Sequence, residues 1–272
     1  MTLWLVLVAL FTALVLVYGW FEAGWLRTRV LDVSLPGLPA ELDGLRIAHL
    51  SDFHLGLPSR GSLATERAVA WVVSRKPDLV CITGDLLSRP AGEPLLRRLL
   101  ERLGPAFAVL GNHDRADSRD PLSQKFELTQ LGETELLSDE SRVLELQGRR
   151  VQVVGVDPAS YSLGVARPER HVDATATLRI LLCHFPGVAR ALEPGAYDLV
   201  LAGHVHGGQI VLPYPGGRFL FAHPLAGEHR GIYREPGTTL HVSPGVGTTF
   251  VPFRFFARPE VTELVLRSAS AP

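Results

Sequence analysis

The chain has 272 residues, enough for one large domain or two small ones with a sizeable buried core. Its 27 basic and 28 acidic residues nearly cancel, which argues against nucleic-acid binding through bulk positive charge. Two cysteines are too few for a disulfide framework or for a zinc site built from thiolates.

Residues 1–26 are predicted to form a transmembrane anchor. The segment carries no charged side chain before Glu22, and a helix needs about 20 predominantly apolar residues to cross a bilayer. Trp4 near one end and Trp20 near the other are typical of membrane interfaces. A cleaved signal peptide is the alternative, but the run lacks a preceding basic segment and a convincing cleavage site. A buried helix of a soluble protein is less favoured because the run has no polar face.

The arginines nearest the apolar run predict its orientation. Arg27, Arg29 and Arg46 all follow the run, and no basic residue precedes it. The positive-inside rule then places the following domain in the cytoplasm, attached to the inner membrane by a single span.

Residues 27–44 contain prolines and glycines and are interpreted as a connector, followed by one domain over 45–268. Strands are predicted at 45–50, 79–83, 106–110, 151–156, 179–183 and 199–202, and helices at 63–74, 94–103, 122–131 and 188–192. Beyond residue 209 the helical pattern fades, and short strands are predicted at 219–221, 240–243 and 261–266. The pattern predicts an α/β fold with an antiparallel portion near the carboxyl end.

Polar residues concentrate immediately after five of these strands. The motifs, in chain order, are Asp52-x-His54, Gly84-Asp85, Gly111-Asn112-His113-Asp114, His184 and Gly203-His204-Val205-His206. Ligands of open α/β sheets bind at the carboxyl ends of the strands, so we expect these side chains to converge.

The converging side chains are a set suited to metal ions. Carboxylate, imidazole and amide donors suit Mn, Fe or Zn without any thiolate. In Asp52-x-His54 and in His204-x-His206, one residue separates the two donors. This spacing places both donors of a pair on the same side of an extended segment. The number of candidate ligands exceeds what one ion needs, and Asp85 is the best candidate for a carboxylate shared by two ions about 3.5–4 Å apart.

All five motifs in this order closely resemble the calcineurin-like metallophosphoesterase family, over roughly residues 45–255. Together with the apolar amino-terminal run, they look most like its membrane-associated bacterial branch. That branch includes phosphodiesterases of the YkuE and YaeI type and a UDP-2,3-diacylglucosamine hydrolase of lipid A synthesis.

The resemblance implies a four-layer α/β/β/α sandwich, here preceded by one transmembrane helix. It also implies roles for the motif residues. Asp52, His54 and His206 would bind one metal, Asn112, His184 and His204 would bind the other, and Asp85 would bridge. His113 would hydrogen-bond a phosphoryl oxygen and protonate the leaving group, with Asp114 orienting His113.

The function expected from these residues is hydrolysis of a phosphodiester or pyrophosphate bond by a hydroxide held between two divalent ions, with Mn preferred and Fe or Zn as alternatives. A lipid-linked substrate such as UDP-2,3-diacylglucosamine is favoured because a tethered enzyme meets membrane substrates at high local concentration. One alternative is a broad phosphodiesterase acting on cyclic nucleotides or glycerophosphodiesters. Another is a metal-bound membrane scaffold without turnover, against which the presence of Asn112 and His113 argues.

Several residues outside the motifs leave alternatives open. His49 is interpreted as a core histidine, whereas His223 and His229 either reach the substrate or are ordinary loop residues. Cys183 is interpreted as a buried thiol, because its spacing to the next arginine does not match a cysteine phosphatase loop. The aromatic segment 250–256 either lines an acyl-chain pocket, touches the bilayer or packs beside a carboxyl-terminal strand.

Overall fold

The computed structural model describes residues 2–115, 120–124, 128 and 130–269. Its helices are α1 (Thr2–Glu22), α2 (Gly61–Arg75), α3 (Glu93–Leu103) and α4 (Pro158–Ser162). Its strands are β1 (Arg27–Pro36), β2 (Arg46–Leu50), β3 (Leu79–Thr83), β4 (Ala106–Val109), β5 (Thr134–Leu136), β6 (Glu140–Leu146), β7 (Arg149–Gly155), β8 (Leu178–Leu182), β9 (Leu199–Ala202), β10 (Val211–Tyr214), β11 (Gly217–Leu220), β12 (Gly231–Glu235), β13 (Thr238–Val242) and β14 (Glu260–Ala269).

The strands form two six-stranded sheets and one separate hairpin. The first sheet has the order β1-β14-β2-β3-β4-β5, and the second has the order β12-β13-β9-β8-β7-β6. Strands β2 to β5 run parallel, as do β7, β8, β9 and β13, while β14 pairs antiparallel with β2. Strands β10 and β11 form the separate antiparallel hairpin. The parallel strands give each sheet one edge at which several carboxyl ends meet.

The two sheets pack face to face, with helical segments on the outer sides. Ile47 of the first sheet and Ile180 of the second belong to the same buried cluster between the sheets. Helices α2 and α3 cover the outer face of the first sheet, where Val69 and Leu99 are buried. Tyr197 is buried on the outer face of the second sheet with Val188, which lies in the 3₁₀ helix Pro186–Ala191. The mixed α/β architecture and the α/β/β/α layering are thus confirmed.

Helix α1 projects from this domain with almost all of its described side chains exposed. Residues Leu3–Glu22 are long and apolar enough to cross a membrane. Among the described residues, the last turns of α1 contact the domain: the Gly19 carbonyl accepts the backbone N–H of Arg254 at 3.1 Å, and the Glu22 carboxylate accepts that of Ala257 at 2.8 Å. The helix is therefore fixed to the domain at one end.

The interpretation of residues 27–44 as a connector is wrong for its first part. Strand β1 pairs in parallel with β14 along ten residues, from Arg27 opposite Glu260 to Pro36 opposite Ala269. Its inward side chains, including Val33 and Leu35, are buried between the sheets. The prolines and glycines that follow the strand hid this alternating pattern, and the folded domain begins at Arg27 rather than at residue 45.

Most other predicted elements are present within one to three residues of their expected ends. The strands predicted at 79–83 and 199–202 match β3 and β9 at both ends. The helix predicted at 188–192 is the 3₁₀ helix Pro186–Ala191. The helix predicted at 122–131 lies partly outside the described residues, and those of its residues that are described are not helical.

Candidate metal centre

Five loops at the carboxyl ends of parallel strands bring the candidate ligands together. Strands β2, β3 and β4 of the first sheet lead into Asp52, Asp85 and Asn112, while β8 and β9 of the second lead into His184 and His204. The amide of Asp52 donates to the Gly84 carbonyl at 2.9 Å, and the amide of Gly203 donates to the His184 carbonyl at 3.0 Å. The loops of each sheet are thus bonded to one another, which fixes the ligands relative to both sheets.

One group of donors comprises Asp52, His54, Asp85 and His206, and all four residues are buried. The Nε2 atoms of His54 and His206 lie 3.0 Å apart. Asp52 Oδ1 lies 3.4 Å from His206 Nε2, and Asp85 Oδ2 lies 3.4 Å from His54 Nε2. We call these four residues the first cluster.

The second cluster contains Asp85, His184 and His204, with Asn112 beside them. Asp85 Oδ2 lies 3.3 Å from His184 Nε2, which is itself 3.1 Å from Asn112 Oδ1 and 3.1 Å from His204 Nδ1. The same Asp85 oxygen therefore faces both clusters, so Asp85 is placed where two ions could share it.

These donor separations fit divalent ions. Ligand atoms held about 2.1 Å from a common ion lie about 3.0–3.4 Å from one another in tetrahedral or octahedral geometry. The six separations given above, 3.0–3.4 Å, fall in this range. The buried Asp/His site is thus suited to a pair of divalent metal ions, as the residue types predicted.

The histidine rings are oriented by contacts on their far side. The Nδ1–H of His184 donates to the Thr83 carbonyl at 2.8 Å, which leaves Nε2 free to face the cluster. His54 Nδ1 lies 2.8 Å from Ser88 Oγ, so its Nε2 likewise points inward. Such contacts fix the tautomer and the direction of a metal-binding imidazole. Thr83 and Ser88 were not singled out from the sequence, since a hydroxyl or a carbonyl next to a motif carries no distinguishing pattern.

The acidic residues and His184 form a charge-coupled group. Burial raises the pKa of Asp52 to about 7, and the nearby Asp85 carboxylate adds to the effect. Burial disfavours the charged form of His184, but Asp85 outweighs it and raises the pKa of His184 to about 9. Burial likewise opposes ionisation of Asp85, yet the His184 imidazolium holds the Asp85 pKa well below its usual value. Without a cation, a proton on His184 compensates the Asp85 charge.

The other histidines of the clusters are kept neutral. Burial lowers the pKa of His204 to about 3, and burial also lowers the pKa values of His54 and His206 well below normal. The charge of Arg254 contributes to this lowering at His206. A neutral imidazole is the form that binds a metal, so these three side chains need not lose a proton first.

Five of the predicted ligands have left-handed backbone conformations. The φ angles are 55° at Asp52, 47° at His54, 55° at Asp85, 72° at His204 and 53° at His206. This region costs an L-residue roughly 1–2 kcal/mol. Non-glycine residues held there cluster at functional sites, where the surrounding structure enforces the strain.

Two glycines allow the loops to approach so closely. A Cβ atom on Gly111 would overlap the Asp85 carboxylate, and one on Gly203 would overlap the Ser51 hydroxyl and the Asp52 carboxylate. A side chain at either position would displace a ligand, so the glycines beside the motifs have a steric role.

His113 lies beside the two clusters and faces the same cleft. Its backbone N–H donates to Asp85 Oδ1 at 2.9 Å, and its ring is perpendicular to that of His54 with centroids 4.5 Å apart. Its Nδ1 lies 2.8 Å from Ser123 Oγ, and its Nε2 lies 3.4 Å from Thr249 Oγ1. The ring is thus next to the donors without belonging to either cluster.

Asp114 is placed differently from the expectation that it orients His113. Its carboxylate accepts the backbone N–H groups of Leu86 at 3.1 Å, Leu87 at 3.0 Å and Gly111 at 2.9 Å. Burial raises the pKa of Asp114 to about 7, although these three hydrogen bonds favour the anion. Asp114 therefore joins the loops after β3 and β4 through these backbone amides.

A cleft of about 390 Å³ opens onto the clusters. Phe185, His223 and Phe250 line this cleft. The ring centroid of His204 lies 4.7 Å from that of Phe185 and 5.0 Å from that of His223. His223 is thus placed to reach a bound molecule, whereas His229 donates its backbone N–H to the Tyr233 hydroxyl at 3.1 Å.

Two of the other open interpretations are resolved by burial. His49 is fully buried and lies 2.7 Å from His241, with Nδ1 of each ring facing the other, as expected of a core histidine. Cys183 is 1% exposed, and burial raises the pKa of its thiol to about 12. A thiol with this pKa is protonated at neutral pH, which confirms the interpretation of a structural cysteine.

Arg254 is a component of the site that the sequence did not reveal. It is fully buried, and its guanidinium donates to the carbonyls of Gly247, Pro244 and Ala257 at 2.7–2.9 Å. It also donates to the His206 carbonyl at 3.2 Å. Arg254 thus links the loop that carries His206 to the segment against which α1 ends.

Comparison with known proteins points to a single family. A family model described as calcineurin-like phosphoesterase matches residues 45–208. A protein of Danio rerio named transmembrane protein with metallophosphoesterase domain is 34% identical over 97% of this chain and 63% of its own length, so the chain spans less than two thirds of that relative. The Bacillus subtilis metallophosphoesterase YkuE is 30% identical over 93% of this chain and 91% of its own length. The Escherichia coli phosphodiesterase YaeI is 28% identical, with 91% and 89% covered.

Proposed function

Because the chain belongs to the calcineurin-like phosphoesterase family, a family of phosphoric ester hydrolases, we propose that it is a two-metal hydrolase of phosphodiester or pyrophosphate bonds. The observation that carries this proposal is the position of Asp85 Oδ2, 3.4 Å from His54 Nε2 and 3.3 Å from His184 Nε2. The proposed ligands are Asp52, His54, His206 and Asp85 for one ion, and Asp85, Asn112, His184 and His204 for the other.

The proposed mechanism divides the chemistry between the ions and the chain. When bound, two divalent ions supply Lewis acidity that activates water and neutralises charge on the phosphoryl oxygens. His113 Nε2–H donates a hydrogen bond to a phosphoryl oxygen and then transfers its proton to the leaving oxygen, which departs as an alcohol or a phosphate monoester. Ser123, 2.8 Å from His113 Nδ1, holds the ring in this orientation. Asp114 keeps the loop that carries His113 in place through three backbone amides.

Manganese is the proposed metal, with iron or zinc as alternatives. The donors are carboxylate oxygens, one amide oxygen and imidazoles, a combination that all three ions accept. Metal analysis of protein purified without chelators tests the identity and the expected stoichiometry of two ions per chain.

We place the chain in the inner membrane, with α1 as a single span and the domain in the cytoplasm. The length and the exposure of α1 support the span, as does the name of the Danio rerio relative. Arg27, Arg29 and Arg46 follow the helix, and the positive-inside rule favours a cytoplasmic location for them.

The substrate we propose is lipid-linked, such as UDP-2,3-diacylglucosamine. Phe250 lines the cleft, and a few residues later the ring of Phe255 packs against Tyr18 of α1 with centroids 6.2 Å apart. The cleft therefore lies near the end of the apolar helix, where a lipid headgroup would be located. A broad phosphodiesterase remains the second candidate, which the relation to YaeI, named a phosphodiesterase, favours.

The test uses the full chain in detergent or lipid discs, loaded with Mn²⁺. We expect release of UMP from UDP-2,3-diacylglucosamine, and faster turnover of bis(p-nitrophenyl) phosphate than of p-nitrophenyl phosphate. Diester turnover without UMP release would refute the lipid-linked nucleotide and retain the phosphodiesterase. Two bound ions without turnover of any of these substrates would instead support the scaffold and refute the hydrolase.

A further inference from the structure

The hairpin formed by β10 and β11 has apolar side chains on both faces. Val211 and Leu220 on one face are buried against Ala257. Leu212 and Phe219, which face each other across the ladder, lie on the opposite face and are 55% and 47% exposed. An antiparallel hairpin with one buried face normally presents polar side chains to water on the other.

The exposed face of the hairpin continues along both strands. Tyr214 follows Leu212 at the same-face spacing and is 54% exposed. Phe221 is 56% exposed, and its ring centroid lies 4.9 Å from that of Phe219. These four side chains form one contiguous apolar face rather than scattered surface residues.

The hairpin is linked to the end of α1 through Phe255 and Ala257. The Val211 N–H donates to the Phe255 carbonyl at 2.9 Å, and Phe255 packs against Tyr18. Ala257, which covers the buried face of the hairpin, donates its N–H to the Glu22 carboxylate at 2.8 Å. The apolar face is therefore close to the point at which α1 enters the domain.

The segment between the cleft and α1 adds to this apolar surface. Phe250 is 49% exposed and Phe256 is 51% exposed, and the ring of Phe256 lies 6.3 Å from that of Tyr18. We define the membrane-facing surface as Leu212, Tyr214, Phe219, Phe221, Phe250 and Phe256. It extends from the cleft to the helix.

Two arginines adjoin this surface along the chain. Arg218 is exposed next to Phe219 on β11, on the face that also carries Leu220. Arg258 stacks on Trp25 just beyond the end of α1, with its guanidinium carbon 3.8 Å from the ring centroid. Arginines beside interfacial aromatic residues match the anionic headgroups of a bilayer.

We propose that the membrane-facing surface docks on the bilayer that α1 spans, with its aromatic side chains at the hydrocarbon boundary and its arginines at anionic headgroups. This inference rests on the proposed span. The bilayer is the favoured occupant because the surface contacts α1 through Phe256 and because Arg218 and Arg258 flank it along the chain. Phe250 belongs both to this surface and to the cleft wall, so docking brings the cleft mouth to the headgroup level, where a lipid-linked phosphate ester can enter without leaving the membrane.

Single labelled cysteines test the docking in the full chain. Cys81 and Cys183 are both buried, so a thiol-reactive nitrobenzoxadiazole label will mark an introduced exposed cysteine. Phe219→Cys reports on the surface and Leu10→Cys, 57% exposed in α1, reports on the span. Val143→Cys is the matched control, because Val143 is 40% exposed on β6 at the far edge of the second sheet. Each protein is placed in discs of phosphatidylethanolamine and phosphatidylglycerol.

Quenching by doxyl-labelled lipid and by aqueous iodide then identifies the occupant. Docking predicts lipid quenching at positions 219 and 10 but not at 143, and weaker quenching at 219 when phosphatidylcholine replaces phosphatidylglycerol. Iodide quenching at 219 equal to that at 143 would show a free surface and overturn the proposal. Protection of 219 from both quenchers would reveal a protein occupant, such as a second copy of the chain, and would overturn it as well. Absence of lipid quenching at position 10 would refute the span, and the label at 219 would still decide the docking separately.

Discussion

Substitution of His113 by glutamine separates the proposed proton transfer from metal binding. Glutamine retains a polar group that can pair with Ser123, which lies 2.8 Å from His113 Nδ1, but it cannot deliver a proton to a leaving group. The bond from the backbone N–H of residue 113 to Asp85 Oδ1, 2.9 Å long, does not depend on the side chain. The ring is not a member of either donor cluster. We therefore expect His113→Gln to bind two ions per chain, as we propose for the unsubstituted protein.

The expected loss of activity depends on the leaving group. A positioned general acid contributes about 10²–10⁴ in rate, equivalent to about 3–5 kcal/mol of transition-state stabilisation. An alkoxide leaving group, as in a glycerophosphodiester, needs the proton and should show the full loss. The p-nitrophenolate of bis(p-nitrophenyl) phosphate departs readily as an anion, so His113→Gln should retain most turnover of that substrate.

Steady-state kinetics on both diesters, with metal analysis of the same preparations, measure this difference. Ser123→Ala serves as the control for ring orientation, and we expect a smaller loss with the same dependence on the leaving group. Equal losses on the two substrates at full metal content would refute His113 as the acid. Loss of an ion from His113→Gln would refute the separation of this residue from the metal ligands.

Three further predictions concern charge and burial. Asp85→Asn removes the charge that both clusters share, so metal analysis should find fewer ions per chain and turnover should fall by at least roughly 100-fold; two ions at full occupancy would contradict the bridge. Burial lowers the pKa of His241 to about 3, so between pH 6.5 and 5 the unfolded state binds a proton that the folded state does not, and this residue costs about 2 kcal/mol of stability over that interval. Between pH 6.5 and pH 5, urea unfolding should therefore show a smaller decrease in the free energy of unfolding for His241→Gln than for the unsubstituted protein. An equal decrease in the two proteins would contradict the argument. Arg254→Met leaves several buried carbonyls unpaired and should lower the free energy of unfolding by at least about 3 kcal/mol, whereas Arg142→Met, at an exposed ion pair, should change it little.

The convergence of the candidate metal-binding side chains was predictable from the sequence because each motif is recognisable within a few neighbouring residues. Each motif follows a short apolar run, and the parallel arrangement of such runs brings their carboxyl ends to one edge. Asp52 and His54 could therefore be matched to His204 and His206 before any contact was known, although these pairs are 152 residues apart. The structure places His206 Nε2 3.0 Å from His54 Nε2 and 3.4 Å from Asp52 Oδ1.

Features that depend on distant partners had no comparable local signal. Strand β1 exists because β14, more than 200 residues later, offers it an edge in parallel register. The inward alternation of Val33 and Leu35 is too short to predict a strand amid prolines and glycines. Arg254 was one arginine in an aromatic segment, and only folding surrounds it with the carbonyls that make its burial tolerable.

The left-handed conformations of five ligands show what the fold must supply to the site. Asp52, Asp85 and His206 have φ values near 54°, a region that few non-glycine residues adopt, although aspartate and histidine adopt it more often than most. The strain is sustained by fixed neighbours: the Asp52 amide is bonded to Gly84, and Asp114 accepts the amides of Leu86 and Leu87 that follow Asp85. The loops already hold this backbone conformation. The metal-binding side chains therefore need not become ordered when cations bind. Asp114 therefore supports the loops after β3 and β4 through their backbone amides, and its orientation of His113 stays a prediction.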